Sequence, residues 1–291
     1  MWTISRGAGV TVAVIDTGVD GGHPDLRGRV LPGIDVVTGF RTGRVDTGQS
    51  DVDGHVTSVS SVIAGTGAGH GSTPGVIGIA PDARILPIKA HDRDNPFGSH
   101  AIEPTAIRAA ADSEAKINNI SLSGTPWRQE EEAVRYALGK GRLIVASRGN
   151  EVLANTAVGY SAAYPGVLAV AGVKSTKDGT TRAELWDRAT RGPQVSLAAP
   201  VEAIPVACLP TQHASRCCVT NGTSFSSPIV AGTAALVWSK HPDWTDNQAI
   251  RRLVDTAVQL PDSTTPNDFV GYGVVRPRQA LQSTADPGPP T

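Results

Sequence analysis

The feature that most constrains this chain is the alternation of short, β-branched apolar runs with longer stretches of helical periodicity. The runs VTVAVI (10–15), ARILPIKA (83–90), INNISL (117–122), RLIVAS (142–147), VLAVAGV (167–173) and QVSLAA (194–199) have Gly, Pro and Asp at their flanks. That punctuation and their β-branched content favour strands over pieces of buried helix. Helical spacing is carried by 55–65, 103–112, 130–139, 224–239 and 246–257. The last of these follows HPDWTDN, where Thr245 or Asp246 can cap it, and its Ile250, Leu253, Val254 and Ala257 form a face expected to dock on the outside of the sheet. A chain that switches between the two periods in this way builds an α/β layer structure, a mostly parallel sheet flanked by helices.

With 291 residues, 40% of them hydrophobic, the chain can bury a core without covalent staples. It has no internal repeat and no linker, so it reads as one domain over 1–291, with the polar, Pro-rich 284–291 expected to be a disordered tail. Lys+Arg 26 against Asp+Glu 27 leaves no electrostatic footprint for nucleic acid or an anionic membrane, and neither partner is expected. No apolar stretch is long enough to span a bilayer, and no secretory signal pattern opens the sequence. Cys208, Cys217 and Cys218 fall in one short stretch. They form either one local disulfide with a thiol left over or three reduced thiols.

Four pieces carry chemistry. In VAVIDTGVDGGHPDL, Asp16 ends an apolar run, which places it at the carboxyl edge of a parallel sheet, where open α/β folds keep their sites. In SDVDGHVTSVSSVIAG, His55 opens a helix whose Val59, Val62 and Ile63 mark one face and whose serines permit close packing. In CVTNGTSFSSPIVAGTAALVWSK, Gly222 offers a turn, Ser224 follows at a helix start, and Pro228 is read as lying in the first turn, where its missing amide needs no acceptor. In LIVASRGNEV, a strand runs into Gly149 and Asn150, whose side-chain amide can point at an anionic intermediate. Taken singly, each has a bland alternative: an Asp or Asn at a turn, a surface His, a Thr–Ser helix cap. The serine block also lacks the last glycine of the nucleophile elbow, which disfavours an α/β-hydrolase.

Together the four blocks resemble the subtilisin-like serine peptidases, in the order Asp, His, Asn, Ser and over nearly the whole chain, from about Val10 to Ala280. GTSF and the closing GYGVVRPRQAL look most like the mycosins of type VII secretion. The resemblance implies the three-layer subtilisin-like fold and a serine endopeptidase acting on polypeptides as a monomer. It further implies Asp16, His55 and Ser224 as the triad, Asn150 as an oxyanion donor, and Ser121, Leu122 and Ser123 as the strand that pairs with an extended substrate. It implies a secreted or cell-surface location and no catalytic cofactor. Structural calcium is common in relatives, but Asp46, Asp51 and Asp53 lack metal-loop spacing and read as a solvated loop.

Three residues depart from the family pattern. Val56 replaces the glycine after the histidine and brings two methyl groups towards the imidazole. Arg148 replaces a small residue and either rims the cleft, favouring acidic substrates, or extends to solvent. Ser123 stands where a glycine lines the pocket for the residue before the scissile bond, which should narrow it. These departures keep open a second expectation, a pseudoprotease that binds extended peptides without cutting them.

Overall fold

The computed structural model describes residues 1–37, 47–51, 53–91, 98–150, 157–175, 183–188, 190–260 and 263–290. The expected α/β architecture is present. Strands β1 (Thr11–Asp16), β2 (Ile34–Asp35), β3 (Arg84–Lys89), β4 (Ile117–Ile120), β5 (Leu143–Ser147), β6 (Leu168–Ser175), β7 (Ala183–Leu185) and β8 (Val195–Pro200) form one sheet in the order β2-β3-β1-β4-β5-β6-β7, with β8 paired to β6. Every pairing is parallel except that of β7 with β6.

The period of two along β1 decides which layer each residue serves. Val12 and Val14 enter one core with helices α1 (His55–Ala64) and α4 (Thr223–Lys240); Ala13 and Ile15 enter the other with α2 (Gly98–Asp112) and α3 (Arg128–Gly139). Helix α4 is buried on almost all sides, because it lies under the sheet and is covered from outside by α5 (Asp246–Asp255) and α6 (Pro277–Gln282). This corrects the expected placement of α5, whose Ala249 and Leu253 pack on helices, not on the sheet. Thr245 is its cap: the hydroxyl accepts from Gln248 N, and the Gln248 side chain closes a capping box.

Two regions carry structure that their sequences do not signal. Segment 202–221 contains an antiparallel ribbon of β9 (Ile204–Ala207) and β10 (Cys217–Thr220), stapled by the Cys208–Cys218 disulfide, with Cys217 left as a thiol. Short strands with little apolar alternation leave a weak sequence signal, and here the ribbon depends on the staple and on packing against α1. Residues 284–290 are tethered: Arg252 donates to Ser283 O and Ala285 O, and Gln248 Nε2 to Gly288 O at 2.8 Å.

Candidate active site

The parallel sheet delivers its carboxyl edge to one place. Adjacent strands β1, β4 and β5 end at Asp16, just before Ser121, and just before Arg148-Gly149-Asn150, and the N-termini of α1 and α4 rise beside them. A cleft of about 330 Å³ there is lined by Thr17, Asp53, His55, Ser121, Leu122, Ser123, Ser147, Gly149, Asn150 and Ser224. All seven residues expected from the sequence are thus brought together, Asp16 lying beneath the cleft.

Asp16 is fully buried, and its Oδ2 accepts a 2.9 Å hydrogen bond from His55 Nδ1. The other carboxylate oxygen has no hydrogen-bond partner among the described residues. With Nδ1 committed to the carboxylate, Nε2 is the ring nitrogen left for chemistry. Burial disfavours the imidazolium, but the Asp16 charge, the hydrogen bond donated to Asp16, and the charges of Asp53 and Asp51 outweigh that penalty and push the His55 pKa up to about 9.

The turn that launches His55 is built by a residue whose role the sequence reading missed. Asp51, expected to be solvated, is half-buried and accepts from Asp53 N and Gly54 N through Oδ1 and from Thr57 N and Thr57 Oγ1 through Oδ2. It therefore satisfies donors that the start of α1 leaves open. Gly54 turns the chain with φ +83, a conformation that favours glycine. The signal was available in D-x-D-G-H, since an aspartate two and three residues before a turn is a capping pattern. Asp46 lies outside the described residues. Among the described residues no three acidic, His or Cys side chains converge as a metal site.

Val56 does not disturb this geometry. It is fully buried in the core that also holds Phe225, and the Asp16–His55 bond is intact beside it. Phe225 meets the His55 ring edge-on at 5.7 Å.

Ser224 is the second residue of α4, so its N–H is one of the donors the helix leaves unpaired. Its hydroxyl donates to Ser121 O at 3.1 Å, and no hydrogen bond joins it to His55 among the described residues. Asn150 is exposed, and its Oδ1 accepts from Thr223 N at 2.8 Å and from Thr223 Oγ1 at 2.7 Å. Both donors hold one end of the amide, and Nδ2 makes no hydrogen bond among the described residues. Gly222 keeps this contact possible: φ is +141, and a Cβ there would stand 3.3 Å from Asn150 Nδ2. Pro228 requires a correction. It is the sixth residue of α4, beyond the first turn, and its missing N–H does strip a partner from Ser224 O.

Arg148 also departs from both expectations. It neither rims the cleft nor reaches solvent: it is fully buried, donates from Nη1 to Phe269 O, and leaves Nε and Nη2 without a hydrogen-bond partner among the described residues. Burial pushes its pKa down to about 10. Ser123 lines the cleft. Its Oγ occupies the gap between two backbone segments, so close that a Cβ on Gly159 would come within 1.9 Å and one on Gly149 within 3.0 Å. A second cavity of about 480 Å³ opens behind it, between Ser123–Pro126 and Arg148, Ala157–Tyr160.

The profile of the subtilase family matches residues 7–273. Thermitase of Thermoactinomyces vulgaris is 35% identical over 240 residues, covering 82% of this chain and 78% of thermitase. The crystal structure of fervidolysin from Fervidobacterium pennivorans superposes with a TM-score of 0.83 at 29% identity, over the whole of this chain and 44% of fervidolysin. The structure of MycP1 with its N-terminal propeptide removed gives 0.80 at 30% identity, over 100% of this chain and 96% of MycP1. The chain belongs to the subtilase family of serine peptidases.

Proposed function

We propose that this chain is an endopeptidase working through an acyl-enzyme, with Ser224 as nucleophile, His55 as general base and then acid, and Asp16 holding the imidazole. The observation that carries it is the 2.9 Å Asp16–His55 bond beneath a cleft into which both His55 and Ser224 open. In the reaction, an extended peptide pairs with Ser121–Ser123, and its N–H takes over the Ser121 carbonyl on which the Ser224 hydroxyl rests. The hydroxyl then turns to His55 Nε2, gives up its proton as Oγ attacks the carbonyl carbon, and the oxyanion forms between Asn150 Nδ2 and Ser224 N–H. His55 returns the proton to the leaving amine, and a water repeats the sequence to release the acid. The hydroxymethyl of Ser123 restricts the pocket beside it to small and medium side chains.

We place the activity outside the cytoplasm, as the family resemblance implies; the Cys208–Cys218 disulfide supports an oxidising compartment. No helix among the described residues is long and apolar enough to cross a membrane. The test is labelling at Ser224 by a fluorophosphonate, together with digestion of a peptide library by the chain and by Ser224→Ala. Labelling and cleavage by the parent alone are expected. A second reading, peptide binding without cleavage, is favoured by one observation, the parking of the Ser224 hydroxyl on Ser121 instead of His55. Retention of an extended peptide by folded, unlabelled protein would establish it.

A further inference from the structure

The nucleophile's own carbonyl has lost its helical partner. In an uninterrupted helix the N–H of residue 228 would bond to Ser224 O, but residue 228 is proline. In its place stands Ser121 Oγ, 2.9 Å from Ser224 O. The same hydroxyl lies 2.9 Å from Asn119 Nδ2 and 3.0 Å from Ser227 Oγ. A hydroxyl has one proton and two lone pairs. Its proton goes to Ser224 O, which cannot donate, so Asn119 and Ser227 must be the two donors, and the hydroxyl is saturated. All three side chains are buried, and Asn119 sits on β4, held between β1 and β5. The two serines also exchange bonds, since Ser224 Oγ donates to Ser121 O.

We infer that Ser121 is a positioning residue: its hydroxyl stands in for the missing amide of Pro228 and fixes the first turn of α4, and with it the Ser224 N–H and Oγ, against the centre of the sheet. The inference rests on the peptidase reading for its kinetic consequence, and it separates two jobs of one residue. The Ser121 backbone carbonyl serves the substrate; the side chain serves the nucleophile.

Ser121→Ala should lower kcat about tenfold to a hundredfold, the scale of a displacement of about 1 Å in such a site, with KM changed less than about twofold. Ser121→Ala/Pro228→Ala should recover most of that loss, because residue 228 regains an N–H aimed at Ser224 O. A role limited to packing gives no such recovery, since the second substitution only removes more volume. If Ser121→Ala does not fold, Pro228→Ala is compared with the double variant. Near-equal kcat is then expected, and a tenfold difference overturns the inference. Independently of turnover, the 13C resonance of the Ser224 carbonyl should move in Ser121→Ala and return in the double variant. Parental kcat in Ser121→Ala, or an unmoved carbonyl resonance, overturns the inference. Failure of the parent to react with a fluorophosphonate would instead sink the peptidase reading, and the carbonyl resonance would still decide the role of Ser121.

Discussion

Thr223→Val tests whether Asn150, the proposed oxyanion donor, is aimed by its neighbour. Thr223 is fully buried, and its hydroxyl proton is shared between Asn150 Oδ1 at 2.7 Å and Gly149 O at 3.2 Å, while its backbone N–H holds Asn150 Oδ1 at 2.8 Å. Valine keeps the shape and the backbone bond but removes the hydroxyl. Leaving the buried Gly149 carbonyl short of a donor costs about 1–3 kcal/mol of stability. The kinetic effect has an upper bound in the loss of the Asn150 donor itself, on the order of a hundredfold to a thousandfold in kcat, a magnitude known from the corresponding asparagine of subtilisin. One of two tethers remains, so kcat should fall about tenfold, equivalent to roughly 1.4 kcal/mol of transition-state stabilisation. KM should barely move, because the oxyanion exists only along the reaction path. Steady-state kinetics on a chromogenic peptide would be run for Thr223→Val, Asn150→Ala and the double variant. Thr223→Val should have no further effect once Asn150 is gone. Parental kcat in the single variant, or full additivity in the double, would show that Asn150 is not aimed by Thr223.

Three further outcomes follow from the site. Because His55, as the proposed general base, must be neutral to accept a proton and its pKa is raised to about 9, kcat/KM should fall as pH drops below about 9, and Asp53→Asn should move that midpoint down. An acid limb centred at or below 6.5, or one indifferent to Asp53→Asn, would contradict the charge argument. Ser123→Gly should raise kcat/KM for a phenylalanine relative to an alanine before the scissile bond by about tenfold, the scale of one added methylene's worth of room; an unchanged ratio would mean that the pocket is not set there. Arg148→Met should leave the melting temperature equal or higher, since two buried donor atoms that are unpaired among the described residues disappear. A loss above about 2 kcal/mol would show that the guanidinium has a partner the cleft requires.

Much of this protein is legible in one dimension. Apolar runs such as VTVAVI must be covered on both faces, and helical segments between them supply the cover, so the layers follow from the hydrophobic periods. Asp16, His55, Asn150 and Ser224 sit at element ends, where short blocks of residues fix the local turn, and each was placed by its block. What the tertiary structure decided are matters of partner. Asp51 became a cap because the chain folds back to present Thr57, and 202–221 became a ribbon because Cys208 and Cys218 meet and α1 lies beneath. Arg148 was buried because residues over a hundred positions away close around it. The vacancy left by Pro228 is visible in the sequence, but the hydroxyl that fills it, 103 positions away, is not. Local propensity is written residue by residue, whereas the donor that answers a buried acceptor is chosen only when distant segments pack.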